Sequence, residues 1–403
     1  MNIKILLTLV FLAVQIIAFT QPSDTLNAQY MNSADKMLAD KTGLSIGGYG
    51  EVHYNQPLVN NQFSPGTLDA HRMVMFLGYS FSGRTQFVSE IEIEYAKEIW
   101  VEQMFIQHRL NKYLNIRAGI LLVPMGITNE YHEPVTFNGV ERPLIDTRIA
   151  PTTWREIGFG FTGNYLPAKT KYQFYLVNGF IGYDAGAGVF SGGKALREGR
   201  QKGSKAMISS PSFTGKIEFY GIKNLNIGLS GYFGESQTRL YSKLNRDSVA
   251  LVKRADSSVV GISMVGLDVR YNNAGLILKG QFYYTSISNT DQYNMFTATN
   301  GKNNDLGSAM IGYYAEIGYN LFRPFPGIRK ELVPFVRYEA YNTHHSVHDP
   351  IVRNRSYDNT VITTGLTFLL TRGVVVKTDI QFMKSASEDA FSKVFNAGFG
   401  IMF

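Results

Sequence analysis

From Leu44 to Phe403 the chain runs through segments of about ten residues in which apolar and polar side chains alternate. The clearest is VSEIEIEY, with Glu90, Glu92 and Glu94 on one face and Ile91, Ile93 and Tyr95 on the other. A period of two marks a β-strand whose two faces meet different surroundings. The pattern predicts about sixteen strands: 44–55, 69–80, one around VSEIEIEY, 100–110, 115–123, 154–164, 172–179, one opening at Ser212, 225–234, 260–271, 275–286, 307–320, 332–342, 361–371, 374–383 and a last one in FNAGFGIMF. Every second connection is tight, as at Phe81 to Arg84 and at Arg372-Gly373, whereas most of the others are long, above all 124–153 and 180–211. A soluble β-sandwich has no reason to sort its connections this way, and no blade-sized repeat points to a propeller.

Followed through all the segments, the alternation separates two sets of residues. One face collects Glu51, Arg72, Glu90, Glu92, Glu94, Gln103, Arg109, Arg117, Lys216, Glu218, Asp268, Arg270, Lys279, Gln281, Glu316, Arg337, Glu339, Lys377, Asp379 and Gln381. The other holds Ile91, Ile93, Met104, Ile106, Ile116, Ile120, Leu122, Ile217, Phe219, Val265, Leu267, Val269, Leu278, Phe282, Ile317, Val336, Tyr338, Val376, Ile380 and Phe399. Burying so many charges unpaired in a dry core is prohibitive. Setting Lys or Arg against lipid at the bilayer midplane costs about 2–4 kcal/mol each. The arrangement that avoids both is a transmembrane antiparallel β-barrel with the charges lining a wet interior, and about sixteen strands leave room for a pore.

The two ends agree with this. FNAGFGIMF places Phe395, Ala397, Phe399, Ile401 and Phe403 on one side and Asn396, Gly398, Gly400 and Met402 on the other. An aromatic last residue on an apolar-out strand resembles the assembly signal of outer-membrane barrels, with Phe399, Ile401 and Phe403 as its residues. At the start, a short basic stretch to Lys4 and an apolar run from Ile5 to Phe19 form an expected signal peptide, 1–20, with cleavage somewhere in 18–28. No cysteine follows, so a lipid-anchored lipoprotein is excluded, as are disulfides and thiolate metal sites. The segment 21–43 is expected on the periplasmic side, as a short amphipathic helix using Leu26, Tyr30, Met31, Ala34, Met37 and Leu38, or disordered. Net charge is +7, with Lys and Arg scattered singly, so no nucleic-acid partner is expected.

With these residues in hand, the region Leu44 to Phe403 resembles outer-membrane porins related to the phosphate-selective porin O and P family, in the Bacteroidota branch. GGYGEVHYN, RAGILLVPMG, NEYHEPVTFNGVERP, PTTWREIG, YLVNG, REGRQKGS and VPFVRYEAYNTH carry the resemblance. It implies sixteen strands, often a homotrimer, and a long third extracellular loop folded into the pore. The segment 124–153 sits where that loop belongs and offers Glu130, His132, Glu133, Glu141, Arg142, Asp146 and Arg148 as constriction residues. The resemblance also implies contact with outer-membrane lipid and lipopolysaccharide and insertion by the barrel-assembly machinery. Phosphate-selective relatives line the pore with a one-sided basic ladder, and here acids and bases are balanced instead. The expectation is therefore passive diffusion of small hydrophilic solutes or ions through a mixed-charge pore with at most weak anion preference, with a phosphate- or anion-selective pore as the alternative.

Candidate chemistry adds little. Lys194, Arg197, Arg200, Lys202 and Lys205 form a basic stretch in a long loop, able to draw anions to the mouth or to face lipopolysaccharide. His344, His345 and His348 cluster without the carboxylate pattern of a recognised metal site, so no metal and no cofactor are expected. His132 beside Glu130 and Glu133 invites an acid/base reading, which a constriction explains better. No nucleophile elbow, phosphate loop or HExxH occurs, and no catalytic residue is expected. His108, on the apolar face, is the only lead for the competing reading, a non-conducting barrel serving as adhesin or outer-membrane enzyme.

Overall fold

The computed structural model describes residues 32–39, 43–59, 62–242, 244–245 and 247–403. The expected signal peptide and its cleavage region lie outside the described residues. Sixteen strands close into one antiparallel barrel. They are β1 (Leu44–Leu58), β2 (Thr67–Ser80), β3 (Thr85–Glu94), β4 (Glu98–Arg109), β5 (Asn115–Leu122), β6 (Arg155–Tyr165), β7 (Thr170–Val177), β10 (Ser212–Phe219), β11 (Leu225–Glu235), β13 (Gly261–Asn273), β14 (Leu276–Ser288), β15 (Ala309–Tyr319), β16 (Glu331–Ser346), β17 (Asp358–Thr371), β18 (Val374–Ser385) and β19 (Ser392–Met402). Each predicted strand is present. Three short strands, β8 (Ile181–Asp184), β9 (Ala187–Gly188) and β12 (Gln237–Thr238), make a separate sheet within the long connections. No helix among the described residues is long and apolar enough to cross a membrane.

Closure is made by β19, which pairs with β18 on one side and β1 on the other, setting Val52 opposite Phe399 and Tyr54 opposite Ala397. Reciprocal backbone bonds between Gly48 and Phe403, 2.9 and 3.0 Å, finish the seam. A closed sheet leaves no unpaired edge to face lipid. The two faces divide as the alternation requires: Met104, Ile106, Ile217, Leu267, Ile317, Val336, Val376 and Phe399 are 43–53% exposed on the outside, while Glu51, Lys216, Asp268, Arg337 and Asp379 are buried inside.

The interior departs from the expected water-filled lumen. On the side of the long connections it holds an apolar core in which Trp154, at the foot of β6, stacks on Phe180 at 4.5 Å and meets Tyr232 of β11 at 4.7 Å. Phe190 and Tyr293 extend this core, and the Tyr293 hydroxyl donates to the Gly182 carbonyl at 2.7 Å. Residues from 178–211 and from the helix Thr290–Phe296 therefore fold into the mouth. Aromatic rings in contact with one another exclude the water that a bare ring of charges would hold.

At the opposite end, the tight-turn side, part of the segment 21–43 forms the helix Ser33–Ala39, which lies inside the barrel. Its Ser33 amide donates to Glu133 Oε1 at 3.2 Å, Asp35 meets Lys171 of β7 at 3.4 Å, and the Leu38 carbonyl accepts from Gln86 of β3 at 3.0 Å. Met37 packs against Tyr49, Val74 and Phe76.

Candidate functional site

The connection between β5 and β6 forms the site, since it leaves the wall at Leu122 and crosses the lumen before returning at Arg155. Asn129 ties its two ends together: the side-chain amide donates to the carbonyls of Val123 and Trp154, and its Oδ1 accepts from the Trp154 amide. Beyond this knot the loop presents backbone groups that the wall charges satisfy. Ile127 N–H donates to Gln281 of β14 at 2.6 Å, Val140 N–H to Asp379 of β18 at 2.7 Å, and Leu144 N–H to Glu339 of β16 at 2.6 Å. Lys216 of β10 donates to the Gly126 carbonyl at 2.7 Å and Lys279 of β14 to that of Thr136 at 2.7 Å. Buried backbone polar groups need such partners. The inward charges thus serve a non-periodic loop that has no ladder of its own.

Two glycines make room for this. Gly126 takes φ +68°, and a Cβ there would fall 1.8 Å from the Tyr283 hydroxyl. On the closing strand, a Cβ at Gly400 would meet Pro134 of the loop at 2.3 Å.

Of the residues expected to line the pore, Glu51, Arg72, Glu90, Glu92, Lys216, Glu218, Asp268, Arg270, Glu316, Arg337, Glu339, Lys377 and Asp379 are buried, and Glu94, Arg109, Arg117 and Lys279 are half-buried. Most are joined in pairs. Arg72 binds Glu51 at 2.7 Å and Glu92 at 3.2 Å, Lys216 reaches Glu130 at 3.1 Å and Asp268 at 3.2 Å, Arg270 binds Glu218 at 2.5 Å, and Arg337 bridges Glu316 at 3.3 Å and Glu339 at 2.9 Å. Arg109 sits apart at the turn side, bonded to the Gly83 carbonyl. Within the loop, Glu130, His132, Glu133 and Asp146 are buried, Glu141 and Arg142 half-buried, and Arg148 exposed.

The loop carboxyls are driven in opposite directions. Burial raises Asp146 to about 6, against the hydrogen bonds it accepts from Thr128, Tyr283 and Gln281. Burial also acts to raise Glu141, but hydrogen bonds from His53 and Asn55, with the charges of His53 and His71, hold it down at about 2. For His132, burial disfavours the charge, yet Glu102 and Glu90 outweigh it and hold the imidazole protonated up to about 10.

Among the described residues the lumen holds cavities, of which three border the loop. One of about 300 Å³ on the turn side is bordered by Asp35, Arg117, Glu130, Lys171, Lys216 and Glu218. A second, about 270 Å³, lies between Lys36, Tyr131, Phe137, Arg270, Lys279 and Thr367. The third, about 180 Å³, opens toward the long connections among Glu51, His53, Arg72, Glu94, Phe137, Glu141 and Arg142. Phe137 borders both the second and the third. Lys377 Nζ lies 3.5 Å from its ring centroid and the Arg142 guanidinium 5.9 Å.

Two residues of this site escaped the sequence reading. Phe137 lies in a stretch without periodicity. Glu102 was concealed by a β-bulge: Glu90 pairs with Gln103 but Ile91 with Val101, so the extra residue, Glu102, points inward where strict alternation would turn it out. Other candidates come apart. Arg197 and Arg200 donate to carbonyls at the end of the loop, Thr152 among them, and Lys202 covers the Trp100 ring, leaving Lys194 and Lys205 exposed. His344 is buried between the Asp305 carbonyl and the Asn354 amide, while His345 faces outward against Tyr284. His108 is exposed and bonded to the Thr85 hydroxyl at 2.9 Å.

A closed sixteen-stranded antiparallel barrel with a long connection folded inside defines the porin fold, and solved structures agree. An anion-selective porin from Comamonas acidovorans superposes with a TM-score of 0.56 over 90% of this chain and 99% of that one, at 12% identity. OmpT of Vibrio cholerae in its trimer form gives 0.52 over 90% and 100% at 8% identity, and Salmonella typhi OmpF in complex with daunomycin gives 0.54 over 89% and 97% at 10%. No family model matches the sequence. An uncharacterised protein of Aquifex aeolicus (strain VF5) is 33% identical over 359 residues, 86% of this chain and 77% of that protein, and the chain belongs to one family with it.

Proposed function

We propose that the protein is a passive diffusion channel of the outer membrane, in which solutes pass from the cavity near the long connections, by Phe137, to the cavities on the turn side. The observation that carries this reading is the position of Phe137 as the shared border of cavities that approach it from opposite ends of one barrel. The pairing of wall charges supports weak ion selectivity. Acids and bases alternate around the lumen, so the field runs across the path rather than along it and does not select strongly by sign. As a porin the chain would be exported by residues 1–20, inserted by the barrel-assembly machinery into lipid and lipopolysaccharide, and assembled as a homotrimer, the state named for the Vibrio cholerae barrel.

Planar-bilayer recording tests the reading. The purified protein should give discrete conductance steps, and in a salt gradient a reversal potential near zero. A barrel that inserts and never conducts would refute the channel. A reversal potential close to the ideal anion value would instead favour the phosphate- or anion-selective alternative.

A further inference from the structure

We propose that Glu90, Glu102 and His132 bind one divalent transition-metal ion, of the zinc, manganese or ferrous iron class, which fastens the lumen loop to the β3–β4 wall. The proposal is independent of what the channel conducts.

The three groups come from three elements, and one ligand atom from each lies within 4.8 Å of the others. His132 Nε2 is 3.2 Å from Glu90 Oε1 and 3.3 Å from Glu102 Oε2. Ligand atoms at about 2.0 Å from a tetrahedral zinc ion stand about 3.3 Å from one another. The two imidazole–carboxylate separations match those of donors around a small cation, and the third lies within 4.8 Å.

The surroundings orient each donor. His132 Nδ1 faces the Asn129 carbonyl at 3.3 Å, so that Nδ1–H donates outward and Nε2 is directed at the carboxylates. Asn129 is the residue that knots the ends of the loop, which makes this carbonyl a rigid one. Glu90 is aimed by Gln103, whose amide donates to Oε2 at 2.6 Å and leaves Oε1 for the centre. Glu102 is present only because the β-bulge re-aims it, and bulges recur beside functional sites.

Glu102 also supplies a separate sign of a ligand. Its side chain is 0% exposed, Oε2 is paired with the His132 imidazole of the same cluster at 3.3 Å, and Oε1 has no hydrogen-bond donor. Two buried carboxylates that share one imidazolium leave lone pairs unsatisfied, which is costly. Tyr49, edge-on to His132 at 6.1 Å, adds a buried hydroxyl that is likewise unsatisfied. Arg72 is held by Glu51 and Glu92 and does not supply the missing contact. A cation entering among the three donors completes the coordination of Glu102, and the proton on Nε2 leaves to water. One imidazole and two carboxylates suit borderline and hard divalent ions, with open positions for water.

The test uses the full barrel, purified without a histidine tag, stripped with chelator and titrated calorimetrically with Zn²⁺ and with Mn²⁺. The expected result is one ion per chain, lost in Glu102→Gln and in His132→Gln and unchanged in His345→Ala. Gln103→Leu, which removes only the support of Glu90, should weaken binding about 10- to 100-fold. Heat-dependent gel mobility identifies folded barrels, and X-ray absorption of the loaded wild type should show imidazole and carboxylate ligation whether or not the variants fold. Absence of saturable binding to folded wild type would mean that His132 is a protonated clamp only. Binding that survives both ligand substitutions, or a first shell without imidazole, would equally overturn the site.

Discussion

Individual side chains in this lumen act through the company the wall gives them. Phe137 is an ordinary apolar residue in sequence, yet with Lys377 and Arg142 about its ring it becomes the partition between two cavities. Phe137→Ala should therefore raise single-channel conductance severalfold without moving the reversal potential, since it removes bulk and no charge. Arg337 shows the opposite dependence. Truncating one partner of a buried pair costs about 3–5 kcal/mol because the other charge stays behind, and Arg337 has two carboxylate partners and two loop carbonyls.

Among elements, the lumen loop and the closing strand carry separate tasks. The loop is held near Glu141 by His53 at 3.2 Å and Asn55 at 3.0 Å. A carboxyl held below its unfolded value, about 4.3, stabilises the docked loop above that value and stops doing so as pH falls through about 2. Asp146 acts in reverse: raised to about 6 by burial, it favours the docked loop when protonated and ceases to as pH rises past that value. Conductance recorded stepwise should show loop fluctuations appearing between about pH 4.3 and 2, and Glu141→Gln should abolish that acid transition. The closing strand has its own test. Phe403 lies on the outer side of the seam and is 75% exposed, remote from the loop. Deleting it should reduce the yield of inserted, heat-modifiable barrel while leaving the reversal potential of the barrels that form unchanged.

For the molecule as a whole, the barrel is a container for several non-periodic segments. Residues 124–153 cross the lumen near its middle, and 178–211, with the helix Thr290–Phe296, close much of the mouth with aromatic contacts. The helix Ser33–Ala39 stands at the other end, where Asp35 borders one turn-side cavity and Lys36 another. The expected aqueous pore is thereby divided, and the cavities that border the loop hold about 180 to 300 Å³ each. The expected arrangement of charge on the inside and apolar residues on the outside holds nonetheless, since it is set by the wall.

The sequence by itself determined that wall. Side chains alternate across a strand whatever its neighbours do, and a wall with one apolar and one charged face turns the alternation into a separation of charges that can be counted residue by residue. Strand number, sorted connections, the inward row from Glu51 to Asp379 and the outward place of Phe403 all follow. The tertiary structure alone decided what fills the wall. Glu102 is turned inward by a register shift that belongs to a pair of strands, not to either one. Phe137 and Phe180 lie in segments with no period, so neighbours such as Lys377 and Tyr232 come from across the barrel. A repeating local geometry is written along the chain, whereas contacts between residues remote in sequence exist only once the barrel has closed around them.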